Sequence, residues 1–84
     1  GLTRPMRPVL EVQHSHKNVP CTITVQAANR LDGYRPVPEG EKLTYVLNEG
    51  EYRVEMDKVL GPARFLVITA DKRFFLTDLT VKAE

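Results

Sequence analysis

The chain has 84 residues, enough for one domain that buries about 60–65% of its unfolded surface and leaves nothing for a second core. Twelve basic and eleven acidic residues give a net charge of +1, which is not the strongly basic balance of a phosphate-backbone binder. No apolar run approaches the roughly 20 residues of a membrane span or forms a signal-peptide core, and a single cysteine, Cys21, excludes an internal disulfide framework.

Residues 1–8 contain Pro5 and Pro8 and read as an extended, poorly paired leader, because proline offers no amide to a ladder. The domain is expected over residues 9–84. A first strand is predicted over 9–15, with Leu10, Val12 and His14 on one face and Glu11, Gln13 and Ser15 on the other. Past the turn at 16–20, a second strand over 21–27 turns Cys21, Ile23, Val25 and Ala27 inward and the polar Thr22, Thr24 and Gln26 outward. Residues 29–41 hold Asp32-Gly33, Pro36, Pro38 and Gly40, which gives a long connection without periodicity, either functional or a crossover. Third and fourth strands over 42–47 and 51–59 are joined by Asn48-Glu49-Gly50 as a bulged hairpin. Leu43, Tyr45 and Leu47 share one face of the third, and Tyr52, Val54 and Met56 form the apolar set of the fourth. After Gly61-Pro62, a fifth strand over 63–70 carries the continuous run Phe65-Leu66-Val67-Ile68, expected of a central strand covered on both faces. A sixth strand over 73–82 places Phe75, Leu79 and Val81 on one face, with Phe74 and Leu76 beginning the other. No segment shows helical periodicity over two turns. The fold class is therefore all-β: a small six-stranded antiparallel β-sandwich of the immunoglobulin-like or prealbumin-like kind, with a partly open barrel as the other way to close the core.

Chemistry is sparse. His14 and His16, two apart on a strand, would bring two imidazoles to one face, the start of a metal site. The set stops there, with only Cys21, Met6 and Met56 as soft candidates, and His14 shares parity with core residues. Metal binding at His14 and His16 is thus the alternative reading, and no cofactor is expected. Cys21 shares parity with Ile23 and Val25 and reads as a small buried hydrophobe without a base beside it. Glu51, Glu55 and Asp57 lie among Arg53 and Lys58 as ordinary surface carboxylates. The isolated Gly33, Gly40, Gly50 and Gly61 build no phosphate cradle. The chain reads as non-enzymatic. Tyr34, Arg35, Lys72, Arg73 and Phe74 suggest a second alternative, an OB-like single-strand nucleic-acid binder, which the near-neutral charge and the lack of Trp disfavour.

Charge is uneven, with six acids (Glu39, Glu41, Glu49, Glu51, Glu55 and Asp57) against two bases over residues 36–57. A solvated face that guards a sheet edge is the expectation there, ahead of a docking patch. The loop around Tyr34 and Arg35, with Asp32 and Glu39 beside them, has the composition of an interface anchor, against a competing role for Tyr34 as a plug at the end of the sandwich. The expected partner is another protein or the rest of a longer chain, met through this loop and through unpaired sheet edges, which also allow a homo-oligomer. Gly1 in place of Met fits an excised domain or a processed small protein equally, and a free thiol slightly favours the cytoplasm.

The stretch Leu47 to Met56, with Gly50, Tyr52 and Val54 in a G-x-Y-x-V spacing after a turn, resembles a hairpin of carboxypeptidase-regulatory-like and PEGA-type β-sandwich modules. The resemblance covers about a dozen residues. It implies a fold class and assigns no functional residue.

Overall fold

A computed structural model describes residues 4–13, 17, 19–33, 35–37 and 41–83. Eight strands follow in order: β1 (Met6–Gln13), β2 (Cys21–Ala28), β3 (Arg30–Asp32), β4 (Arg35–Val37), β5 (Lys42–Leu47), β6 (Arg53–Glu55), β7 (Phe65–Ala70) and β8 (Phe75–Ala83). Two antiparallel sheets of three strands, ordered β6-β1-β8 and β5-β2-β7, carry the fold, and β3 and β4 form a separate ribbon. The alternation read from the sequence explains the layering. Leu10, Val12, Val54 and Met56 from one sheet and Cys21, Ile23, Val25, Leu43 and Leu47 from the other meet in one buried cluster. The result is a small β-sandwich, not a closed barrel. Each leucine or isoleucine so buried contributes roughly 1.5–3 kcal/mol.

The expected strands are present, with several corrections. β1 begins at Met6, so Met6, Arg7 and Pro8 pair with Ala83, Lys82 and Val81 and belong to the sheet instead of to a leader. Pro8 is tolerated there even in a central strand, and its carbonyl accepts the amide of Met56 at 3.0 Å. Met6 and Leu60 exchange two further backbone bonds, at 2.8 and 2.7 Å, which extend the same edge.

Strands β5 and β6 are not a hairpin. The turn over Asn48-Glu49-Gly50 exists, with Gly50 at φ +83° and the Glu51 amide donating to the Asn48 carbonyl at 3.1 Å. It carries the chain from one sheet to the other, since β5 pairs with β2 and β6 pairs with β1. β6 is also only three residues long, much shorter than the expected 51–59. The connection 71–74 likewise joins β7 in one sheet to β8 in the other. Connections this short stack β5 over β6 and β7 over β8.

β7 is an edge strand, and the central strand of its sheet is β2. The long connection over 29–41 contains the ribbon β3–β4, which turns at Gly33 with φ +63° and sets Asp32 opposite Arg35. β4 lies against β2, on whose outward-parity side Gln26 and Ala28 are buried. In β8 a register shift opposite Glu11/Val12 leaves Thr77 as an extra residue, so Leu76 pairs with Val12 while Leu79 pairs with Leu10. This bulge overturns the expected faces: Leu76 joins Leu79 and Val81 on the inward side, and Phe75, opposite Gln13, points outward.

Candidate interaction surface

The stacking of β5 on β6 and of β7 on β8 gives the sandwich two unlike sides. At the β5/β6 side, Leu43, Leu47, Val54 and Met56 are buried and Tyr45 is half-buried, while Tyr52, expected to face inward with Val54, is exposed just ahead of β6. At the β7/β8 side the inward-facing residues are only partly covered: Leu66, Ile68 and Ala70 on β7 are half-buried, and Leu76 and Leu79 on β8 remain 41% and 38% exposed. Among the described residues both strands are sheet edges, each with a single neighbour. One row of backbone groups on each is therefore available to another strand. β7, with the sequence FLVITA, carries no charge and no proline.

The connection between these two edges is fixed. The Thr22 amide donates to Asp71 Oδ1 at 2.7 Å, the Asp71 amide donates to the Thr22 carbonyl at 3.2 Å, and the buried Cys21 thiol donates to the Lys72 carbonyl at 3.6 Å. Cys21 is thus a buried packing residue, as its parity implied. Opposite, the side bearing β5 and β6 is closed by Glu51, which accepts the Tyr45 hydroxyl and the Asn48 amide at 3.0 Å. That hydrogen bond, with burial and the carboxylate charge, raises the Tyr45 pKa.

Across the outer face of the β6-β1-β8 sheet the charges form rows. Arg53, Glu11 and Asp78 stand side by side in one, and Arg7 and Lys82 in another. Lys82 Nζ reaches Glu55 Oε1 at 3.3 Å, and Arg53 Nη1 reaches Glu55 Oε2 at 3.5 Å. The hydrogen bond and charge of Lys82, assisted by Arg53, hold the Glu55 carboxyl below its usual value. The Lys82–Glu55 pair spans β1 beside Val9, which is buried although it lies on this outer face. Glu51 and Glu55 are thereby tied into local contacts.

Of the residues singled out by sequence, Asp32 and Arg35 face each other on the exposed ribbon. Tyr34, Glu39, His14 and His16 lie outside the described residues. Among the described residues no group of three or more His, Cys, Asp or Glu is placed to hold a metal ion, and no helix is long and apolar enough to cross a membrane. Lys72 and Arg73 are exposed, whereas Phe74 packs against the core and offers no stacking platform. A cleft of about 260 Å³ lies by Ala27, Ala28, Asn29, Leu60 and Pro62, with Glu41 the one ionisable group among the described residues that line it. The β7/β8 side was missed from sequence, and the signals for it were an uncharged apolar run at 65–70 and apolar residues on both parities at 74–81.

No protein-family model, curated protein or solved structure matches the chain.

Proposed function

We propose that this domain is a non-enzymatic interaction module that binds an extended polypeptide segment along the open β7/β8 side of its sandwich, chiefly by adding a strand to the β8 edge. The observation that carries this reading is the contrast between inward-facing leucines of edge strands on the two sides: Leu47 on β5 is fully buried and Leu79 on β8 is 38% exposed. A strand laid against β8 would satisfy the unpaired backbone groups and cover Leu76, Leu79 and Val81 with alternate side chains. Affinity would come from main-chain hydrogen bonds and specificity from those pockets. The ribbon tip at Asp32 and Arg35 is a lesser contact in this reading, because both residues are exposed and neither builds a pocket.

Selection of random peptides displayed on phage against the immobilised domain tests it. The expected peptides alternate apolar and polar residues, protect β8 amides from hydrogen exchange, and lose at least about tenfold in affinity against Leu79→Lys, while Asp32→Ala and Arg35→Ala leave binding intact. Peptides without alternation, or binding indifferent to Leu79→Lys in a variant with an unchanged circular dichroism spectrum, would remove the basis for it.

A further inference from the structure

The charge pattern of β8 specifies its occupant. Asp78 stands directly opposite Glu11, and Lys82 directly opposite Arg7, so β8 presents a like-charge pair at each of two outward positions four residues apart. Like charges at such cross-strand positions are unfavourable. Arg53 flanks Glu11 on its far side, and Lys82 reaches Glu55 diagonally. Asp78, exposed, has no cation beside it among the described residues. An ideal neighbour for the free edge would therefore carry a cation opposite Asp78 and an anion opposite Lys82. It would also carry apolar residues opposite Leu79 and Val81.

A second copy of β8, running antiparallel, meets that specification in one register. With the two-fold axis at Thr80, each Asp78 faces the other copy's Lys82, each Leu79 faces the other copy's Val81, and Thr80 faces its own equivalent. The parity is right, since residues opposite one another in an antiparallel pair share a face: both apolar pairs fall on the inward side and both charged pairs on the outer side. Other centres break the pattern. An axis at Leu79 sets Asp78 against Thr80 and Lys82 against Leu76, and an axis at Asp78 sets two aspartates together. The bulge at Thr77 marks where the regular pairing stops, leaving 77–83 as the paired segment.

Resting on the strand-addition reading above, we infer that the chain self-associates through β8, joining two β6-β1-β8 sheets into one continuous six-stranded sheet about a two-fold axis at Thr80. The symmetric, self-complementary contact closes on itself and leaves no further β8 edge. It also withdraws from water the inward faces of β8 and of β7 stacked over it, the least covered part of the core.

Sedimentation of the full chain is expected to show a concentration-dependent dimer. Thr80→Cys, an exposed outer-face position, is expected to form an intermolecular disulfide on mild oxidation, because directly opposed strand residues lie within disulfide reach. Asp78→Lys is expected to weaken the dimer roughly tenfold or more, since both charged pairs become like-charged, while the monomer melts no lower because the new lysine stands beside Glu11. Lys82→Asp weakens self-association likewise. Mixing the two variants restores a dimer, as each lysine of one then stands opposite an aspartate of the other. A chain that stays monomeric at its highest soluble concentration overturns the inference. So does a dimer indifferent to Asp78→Lys that fails to crosslink through Thr80→Cys. A monomer that still selects alternating peptides loses only the self-pairing, whereas one that does neither loses the strand-addition reading as well.

Discussion

Truncating one leucine on each side of the sandwich measures how differently those sides are packed. Leu47→Ala and Leu79→Ala delete the same three carbons, at about 0.8 kcal/mol each, for a transfer loss of about 2.4 kcal/mol at full burial. Leu47 is 0% exposed and enclosed by both sheets, so a cavity adds to that loss and the total reaches about 3–4 kcal/mol. Leu79, 38% exposed, forfeits only the buried part, about 1.5 kcal/mol, and water fills the space left behind. With a urea dependence of about 1 kcal/mol per molar for so small a domain, the two midpoints should differ by about 2 M. The assay is urea unfolding followed by far-ultraviolet circular dichroism, at concentrations where sedimentation shows monomer. Equal midpoints would refute the reasoning, because they would mean that the β7/β8 side closes over its own core as tightly as the β5/β6 side does.

Gly50→Ala should cost about 1–2 kcal/mol, because φ at +83° forces the new side chain into the left-handed region. Gly61→Ala, with open space around it and no such φ, should stay within about 0.5 kcal/mol of the parent; a matched loss in thermal unfolding would contradict the turn geometry. Tyr45 holds its proton to higher pH in the folded chain than unfolded, so its hydroxyl bond to Glu51 stabilises fully below the ordinary value of 10.0 and fades as pH rises through the folded one. The stability gap between the parent and Tyr45→Phe should therefore close at alkaline pH, and a gap unchanged between about pH 8 and pH 12 would exclude the linkage. Glu55 behaves oppositely: its lowered pKa makes the Lys82 and Arg53 contacts stabilising above the ordinary 4.5, with the contribution lost as pH falls through the folded value. Lys82→Met should shrink the acid loss seen in urea midpoints, as should high salt, and an identical acid loss in both proteins would count against the ion pair.

What the sequence disclosed was local. The alternation in β2 and β5 and the positions of β1, β2, β5, β7 and β8 are properties of neighbouring residues, and period two reports them directly. What it withheld was long-range. Leu43 to Leu47, the Asn48-Glu49-Gly50 turn and Arg53 to Glu55 look the same whether the strands pair as a hairpin or arch between sheets. Only the pairing of Val9 with Glu55 and of Val25 with Leu43 distinguishes the two. The run Phe65 to Ile68 read as a buried centre because apolar residues on both parities usually mean two covered faces, whereas here they mark an edge strand with Phe65 exposed. In β8 one extra residue, Thr77, exchanged the faces of Leu76 and Phe75, and a bulge leaves no trace in composition. The candidate surface was hidden for the same reason: Tyr34 and Arg35 stand out by residue type, while the exposure of Leu79 follows from sheet order.

Of the four edge strands, the two that border the β7/β8 side pose different problems, and the difference argues for β8 as the specific one. β7 has the composition of a segment that stacks promiscuously: six residues without charge or proline, four of them β-branched or aromatic. It is bracketed by Arg64 on one end and Asp71-Lys72-Arg73 on the other, the flanking charges that keep such runs from pairing end to end. Its register would be weakly set, because slips of two residues mostly bring one apolar side chain opposite another and none brings charges together. β8 places two opposite charges four residues apart on an alternating apolar and polar strand, so most slips bring like charges together or strand a charge against an apolar group. The uncharged edge is thus guarded from outside while the charged edge selects. A sandwich left open on one side, with discrimination built into only one of the two edge strands that border it, is arranged to accept one complement in one register there and to refuse the rest.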